Sequence, residues 1–136
     1  MKKILLIFLI IPLLSMTNEE TSFIGKWLDK DKNQIGYLIF DSDGFASFEM
    51  NGKVVGGKEF EVEGEKVMLS YKVFKEMSPI HVDLTLTKLE SGEETVMLCI
   101  AEFITSDSLN FAIGFDNARP TEFNDKNSII LTREKD

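Results

Sequence analysis

The sequence predicts an all-β protein, a single antiparallel barrel of eight or nine strands. Three observations carry that prediction. Apolar and polar residues alternate strictly in several stretches, which is the period of a strand with one buried face. Glycine-containing pairs that take positive φ cheaply separate those stretches, so neighbouring strands join by tight hairpins and run antiparallel. After residue 24, no stretch repeats apolar residues at three and four spacing over ten positions, so no substantial helix is expected.

The chain opens with Lys2 and Lys3, an apolar run from Ile4 to Leu14 and a polar stretch from Ser15 to Glu20, the layout of a secretory signal peptide. That run is shorter than the roughly 17–25 residues a spanning helix needs. Ser15 and Thr17 offer small residues for cleavage before Asn18, with a cut after Ser15 as the alternative. Residues 1–17 are therefore expected to be a signal peptide and residues 18–136 one exported domain, periplasmic or secreted. The only cysteine, Cys99, is far from the junction, so a lipid anchor has no acceptor there. The processed protein is expected to be soluble, with no stable membrane insertion.

Strands are expected at Gly25–Lys30, Gly36–Asp41, Phe45–Met50 and Glu59–Glu63, and more strongly at Val67–Val73, where Val67, Leu69, Tyr71 and Val73 alternate with Met68, Ser70 and Lys72. The clearest alternation sets Ile80, Val82, Leu84 and Leu86 against His81, Asp83, Thr85 and Thr87. Strands at Thr95–Phe103, at Leu109–Phe115 with Leu109, Phe111, Ile113 and Phe115 on one face, and at Ser128–Arg133 complete the set. Turns fall at Asp43-Gly44, Asn51-Gly52, Gly56-Gly57, Gly64 and Ser91-Gly92. The segment from Asp116 to Asn127 holds Arg119-Pro120, whose proline cannot donate to a ladder, and reads as a long surface loop. Strands with one apolar face and few open edges close more completely as a barrel than as a sandwich.

The formal net charge of −8 becomes more negative once Lys2 and Lys3 are removed. An acidic surface repels nucleic acid and anionic lipid, so neither is expected as a partner. A single cysteine forms no internal disulfide, and Cys99 sits in Val96-Met-Leu-Cys-Ile100, where a small buried thiol is the ordinary occupant.

Several short segments resemble a family of uncharacterised bacterial lipocalin-like domains of the calycin type. Phe23-Ile-Gly-Lys-Trp27 is similar to the Gly-x-Trp opening of such barrels. Pro79-Ile-His-Val-Asp-Leu-Thr85, Ser108-Leu-Asn-Phe111, Arg119-Pro-Thr-Glu-Phe123 and Leu131-Thr-Arg-Glu-Lys135 follow in the family's order. The resemblance runs from about residue 23 to 135 and is interrupted before Pro79 and after Gly92. It implies an up-and-down calyx in which Trp27 packs against Arg133, a structural pairing. It also singles out Arg119 and Glu122, either to fix the long loop or to meet a ligand at a barrel mouth.

Candidate chemistry is sparse. Asp29-Lys-Asp-Lys-Asn33 spaces oxygen ligands like a calcium loop, but Gln34 replaces the turn glycine and Phe40 the closing glutamate, so no metal is expected. Asp41-Ser-Asp-Gly44 reads as a hairpin turn whose side chains bond the backbone. His81, the only histidine, shares a polar strand face with Asp83 and Thr85, yet no oxyanion hole or flanked nucleophile accompanies them. Phosphate loops, dinucleotide glycine patterns and zinc-spaced clusters are missing, so no cofactor and no enzymatic activity are expected.

Two readings of function follow. In the first, the barrel interior binds a small apolar or amphipathic ligand, lined by Phe48, Met50, Phe60, Leu69, Tyr71, Val82, Leu84, Leu98, Phe111 and Ile113. In the second, those side chains fill the barrel. The protein is then an interaction or inhibitor module that meets a protein partner through its acidic surface and the 116–127 loop.

Overall fold

The computed structural model describes residues 22–29, 36–114 and 117–135. The signal-peptide reading of residues 1–17, most of the calcium-like segment after Asp29, and Phe115 and Asp116 lie outside the described residues. Ten strands form: β1 (Gly25–Asp29), β2 (Tyr37–Phe40), β3 (Ala46–Met50), β4 (Lys53–Gly56), β5 (Phe60–Val62), β6 (Glu65–Phe74), β7 (Ile80–Lys88), β8 (Glu94–Thr105), β9 (Ser108–Ile113) and β10 (Ser128–Arg133). Among the described residues there is no helix.

The strands make one antiparallel sheet in the order β4-β3-β2-β1-β10-β9-β8-β7-β6-β5. It curls into a nearly closed barrel. The extra strand beyond the eight or nine expected is β4. Its residues lie between the Asn51-Gly52 turn and Gly56-Gly57, and a stretch so short shows no alternation to read.

Closure is carried by the backbone around Gly57. Its N–H donates to the Ala46 carbonyl at 2.8 Å and its carbonyl accepts from the Leu69 N–H at 2.9 Å, which ties β3 to β6. An isolated antiparallel bridge joins Phe45 to Ser70, and the Tyr71 N–H donates to the Gly44 carbonyl at 2.9 Å. Gly56 sits at φ 134°, and a Cβ there would lie 2.6 Å from the Ser47 Cα, so only glycine lets β4 approach β3 this closely. Beyond Gly57, β4 and β5 do not pair with each other. They form the two sides of a notch.

Register fixes which side chains point inward, because residues opposite each other in an antiparallel pair share a face. Val82 is opposite Cys99, Ala101 opposite Phe111, and Leu131 opposite Leu109. The resulting core gathers Trp27, Leu38, Phe40, Leu69, Val82, Leu84, Cys99, Leu109, Phe111 and Leu131. Leu98 is a correction to the expected lining. It lies opposite Asp83 and therefore on the outer face. From Val96 to Ala101, strand β8 is apolar at every position, so alternation alone leaves its phase undetermined, and pairing with β7 decides it.

Apolar residues occur on both faces of β8 because its outer face is also covered. Ile100 and Ala112 lie on that side and are 1% and 0% exposed. The loop after β9 turns back over them. A Cβ on Gly114 would collide with the carbonyl oxygens of Leu98 and Ala118. Arg119, from the same loop, donates to the Cys99 carbonyl at 2.8 Å and to Asp83 Oδ1 at 2.7 Å, reaching across β8 to β7.

Candidate functional site

The two ends of the barrel differ. One end is bounded by the β2–β3, β6–β7 and β8–β9 turns and by the approach to β1. Here Phe23 meets Phe40 and Phe103 edge-on, with ring centroids 5.8 and 5.0 Å apart, and Phe40 meets Tyr71 at 4.7 Å. Such edge-to-face contacts fill space and add to the stabilisation from burial. The Trp27 Nε1–H donates to the Phe23 carbonyl at 2.9 Å, satisfying its polar group inside the core.

Arg133 caps this end. Its guanidinium carbon stands 4.3 Å from the centre of the Trp27 ring. Its Nη1 donates to the Ile24 carbonyl at 3.1 Å, and its Nη2 donates to the carbonyls of Ser22 and Ser106 at 2.8 and 3.0 Å. Its Nε donates to Asp107 Oδ1 at 3.1 Å. A planar fork of donors over an aromatic face suits arginine and not lysine. Lys135, and behind it Arg133, hold the Asp107 carboxyl below the usual carboxylate range. Together these contacts tie Trp27 in the first described segment and Arg133 and Lys135 in the last to Asp107 in the β8–β9 turn.

The far end is bounded by the β3–β4, β5–β6 and β7–β8 turns. Its inward-facing residues are mixed: Asp29, opposite Leu131, is fully buried, Lys53, Glu65 and Lys88 hold inner register positions at the rim, and the apolar residues are incompletely covered. Phe48, Phe60, Leu86, Ile113 and Ile129 are half-buried and pack against the core. Met50, Val62 and Met97 belong by register to the inner face, yet are 39%, 38% and 36% exposed. Met97 is notable because its partner across the ladder, Leu84, is only 1% exposed. Solvent therefore reaches the inner face of β8 near this end. Two thioethers among the most accessible inner residues make a soft, adaptable surface.

Of the expected lining, Leu69, Val82, Leu84 and Phe111 are buried in the core, with Tyr71 beside it at the Trp27 end, where its hydroxyl donates to the Asp41 carbonyl at 2.7 Å. Phe48, Phe60 and Ile113 lie toward the far end, Met50 at its rim and Leu98 outside. Leu86, Met97 and Ile129 are additions to the expected lining. Leu86 and Ile129 occupy inward positions of their strands, so their alternation was available as a signal. Met97 was hidden by the same ambiguity of phase that misplaced Leu98.

The polar candidates are dispersed. Asp83 pairs with Arg119 at 2.7 Å, so its carboxylate is committed to the loop and not to His81. Glu122 is exposed, and its carbonyl accepts from Asn127 Nδ2 at 3.1 Å. Cys99 is fully buried, and that burial pushes its thiol up to about 12, so it stays protonated and unreactive at neutral pH. Asp41 Oδ1 accepts from the N–H groups of Asp43 and Phe45 at 2.9 and 2.8 Å, closing the β2–β3 turn. Among the described residues, no group of three or more histidine, cysteine or carboxylate side chains is placed to hold a metal. A mixed-polarity cleft of about 460 Å³, lined by Gly64, Glu65, Lys66, Leu89 and Glu90, lies on the rim between two turns.

No protein-family model matches the chain, and no curated protein or solved structure matches it.

Proposed function

We propose that the protein is a non-enzymatic, lipocalin-like binding protein that takes a small apolar or amphipathic molecule at the far end of the barrel. The observation that carries this reading is the asymmetry of the two ends. Aromatic rings and Arg133 fill and cap one of them, whereas Met50, Val62 and Met97 leave inner apolar surface accessible at the other. Apolar surface left in contact with water inside a concave wall is the usual setting for a hydrophobic ligand. The absence of an enzymatic role is supported by the engagement of Asp83 with Arg119 and by the buried thiol.

Titration with Nile red, a neutral apolar fluorophore, tests the reading. Binding is expected, weakened at least about tenfold by Leu86→Lys, since a buried ammonium at the mouth costs well over the 1.4 kcal/mol that corresponds to that factor. Equal binding by wild type and variant, or none by either, contradicts it. The alternative is a filled barrel acting on a protein partner through its acidic surface and the 116–127 loop. It is favoured by the ring packing around Phe40, which touches Phe23, Tyr71 and Phe111. Failure of Nile red to bind would support that alternative.

A further inference from the structure

The unpaired seam of the barrel has a specific chemistry. Its two sides are the hairpins β3–β4 and β5–β6, joined at Gly57 and both turning at the far end. In a two-residue hairpin the residues flanking the turn exchange hydrogen bonds, and bonded and non-bonded pairs then alternate along the ladder. Met50 and Lys53 flank Asn51-Gly52, so Phe48 and Val55 form the next bonded pair. The bond from the Gly57 N–H to the Ala46 carbonyl continues this alternation. The N–H and C=O groups of Val54 and Gly56 therefore point away from β3, into the seam. On the other side, Val62 and Glu65 flank Glu63-Gly64 and Phe60 is bonded to Val67, so Glu61 turns its N–H and C=O into the seam from β5.

Val54 is 57% and Val62 38% exposed, and among the described residues no strand covers either edge; the edges are guarded only by their shortness and by charged side chains, which admit a partner of matching charge. Side-chain direction defines the complement. Glu61 lies opposite Lys66, on the outer face of β5, while Phe60 lies opposite the buried Val67 and faces inward. Glu59 shares the outer face and is 3.6 Å from Lys66. That leaves Glu61 and Glu63 as outer-face and turn carboxylates without an ion-pair partner among the described residues. A second copy of this chain would set like charges against one another, which disfavours pairing through the same edge.

We propose that the seam between β4 and β5 accepts an extended segment of a partner protein that alternates basic and apolar residues, completing the barrel by strand addition. Backbone groups of Val54, Gly56 and Glu61 supply the ladder, as in other cases of strand addition to an open edge. The partner's lysine or arginine side chains meet Glu61 and Glu63 outside, and its apolar side chains cover Phe60 and Val55 within. The seam borders the mouth, because Phe60 and Val62 belong to both, but its ladder is made by backbone groups that ligand binding at the mouth does not use.

The test uses the full chain with two short synthetic peptides, one alternating lysine and valine and the other alternating glutamate and valine. The basic peptide is expected to bind and to slow hydrogen exchange at the amides of Val54, Gly56 and Glu61, whereas the acidic peptide does neither. Val54→Pro removes one seam-facing donor without touching the β3–β4 ladder. It is expected to weaken basic-peptide binding up to about tenfold, the upper range for the loss of one net hydrogen bond. Glu61→Lys, which keeps the backbone intact, is expected to weaken it as well and to raise binding of the acidic peptide. No basic-peptide binding, equal binding of both peptides, or protection that maps away from these amides overturns the proposal.

Discussion

At the scale of single residues, Arg133 holds more of the structure together than any other polar side chain described. It donates to three carbonyls and one carboxylate while covering the Trp27 ring. Arg133→Ala removes the cation–π contact and leaves carbonyls at the rim to be solvated by water, for an expected loss of about 2–3 kcal/mol in denaturant unfolding. Arg133→Lys recovers only a minor part, because an ammonium cannot serve the same fork of acceptors. A full rescue by lysine would show that charge alone matters. Asp107 gives a pH-dependent companion. Its folded carboxyl titrates below its unfolded value, so its contribution is present above about pH 4 and fades as pH falls through the lower folded value. Thermal melts of wild type and Asp107→Asn should therefore differ most near neutrality and converge in acid. A gap that widens in acid would contradict the assignment.

At the scale of elements, the long loop is part of the fold. Arg119 links it to β8 through the Cys99 carbonyl and to β7 through Asp83, and Ile100 and Ala112 are buried on the outer face it crosses. Arg119→Ala leaves a half-buried carboxylate without its partner and is expected to cost about 1–2 kcal/mol. Its distinguishing sign is local: proteolysis within residues 117–127 and hydrogen exchange at Ile100 should accelerate before global unfolding does. Uniform acceleration across β6–β10 would mean that the loop is not a separate cooperative unit. The same element shows why sequence reading reached only part of the way. The alternation in β6, β7 and β9 was plain because their apolar residues are concentrated on the inner face. In β8 the loop supplies a second covered face, so apolar residues stand on both sides and the period is lost. The Arg119–Asp83 pair spans 36 residues, and no local pattern announces a contact of that range.

At the scale of the whole molecule, the chain builds a barrel with one packed end, one accessible end and one unpaired seam. The all-β class and antiparallel connectivity were legible because glycine-bearing turns and period-two stretches are local properties. The asymmetry of the ends was not, since it arises from where ten strands start and stop relative to one another. Flanking strands separate residues that alternation treats alike: Leu84 lies between Tyr71 and Met97, whereas the β8–β9 ladder ends at Cys99 and Ile113, so Leu84 is sealed and Met97 meets solvent.

Methyl-labelled methionine makes that distinction measurable, because Met50 and Met97 lie at the far end, Met68 on the outer face of β6 and Met77 in the β6–β7 turn at the Trp27 end. In carbon–proton spectra recorded as Nile red is added, binding at the mouth shifts the methyl signals of Met50 and Met97 together, with one common affinity, and leaves those of Met68 and Met77 in place. Shifts confined to Met68 or Met77, or no shift at Met50 and Met97, contradict a binding site at the far end of the barrel.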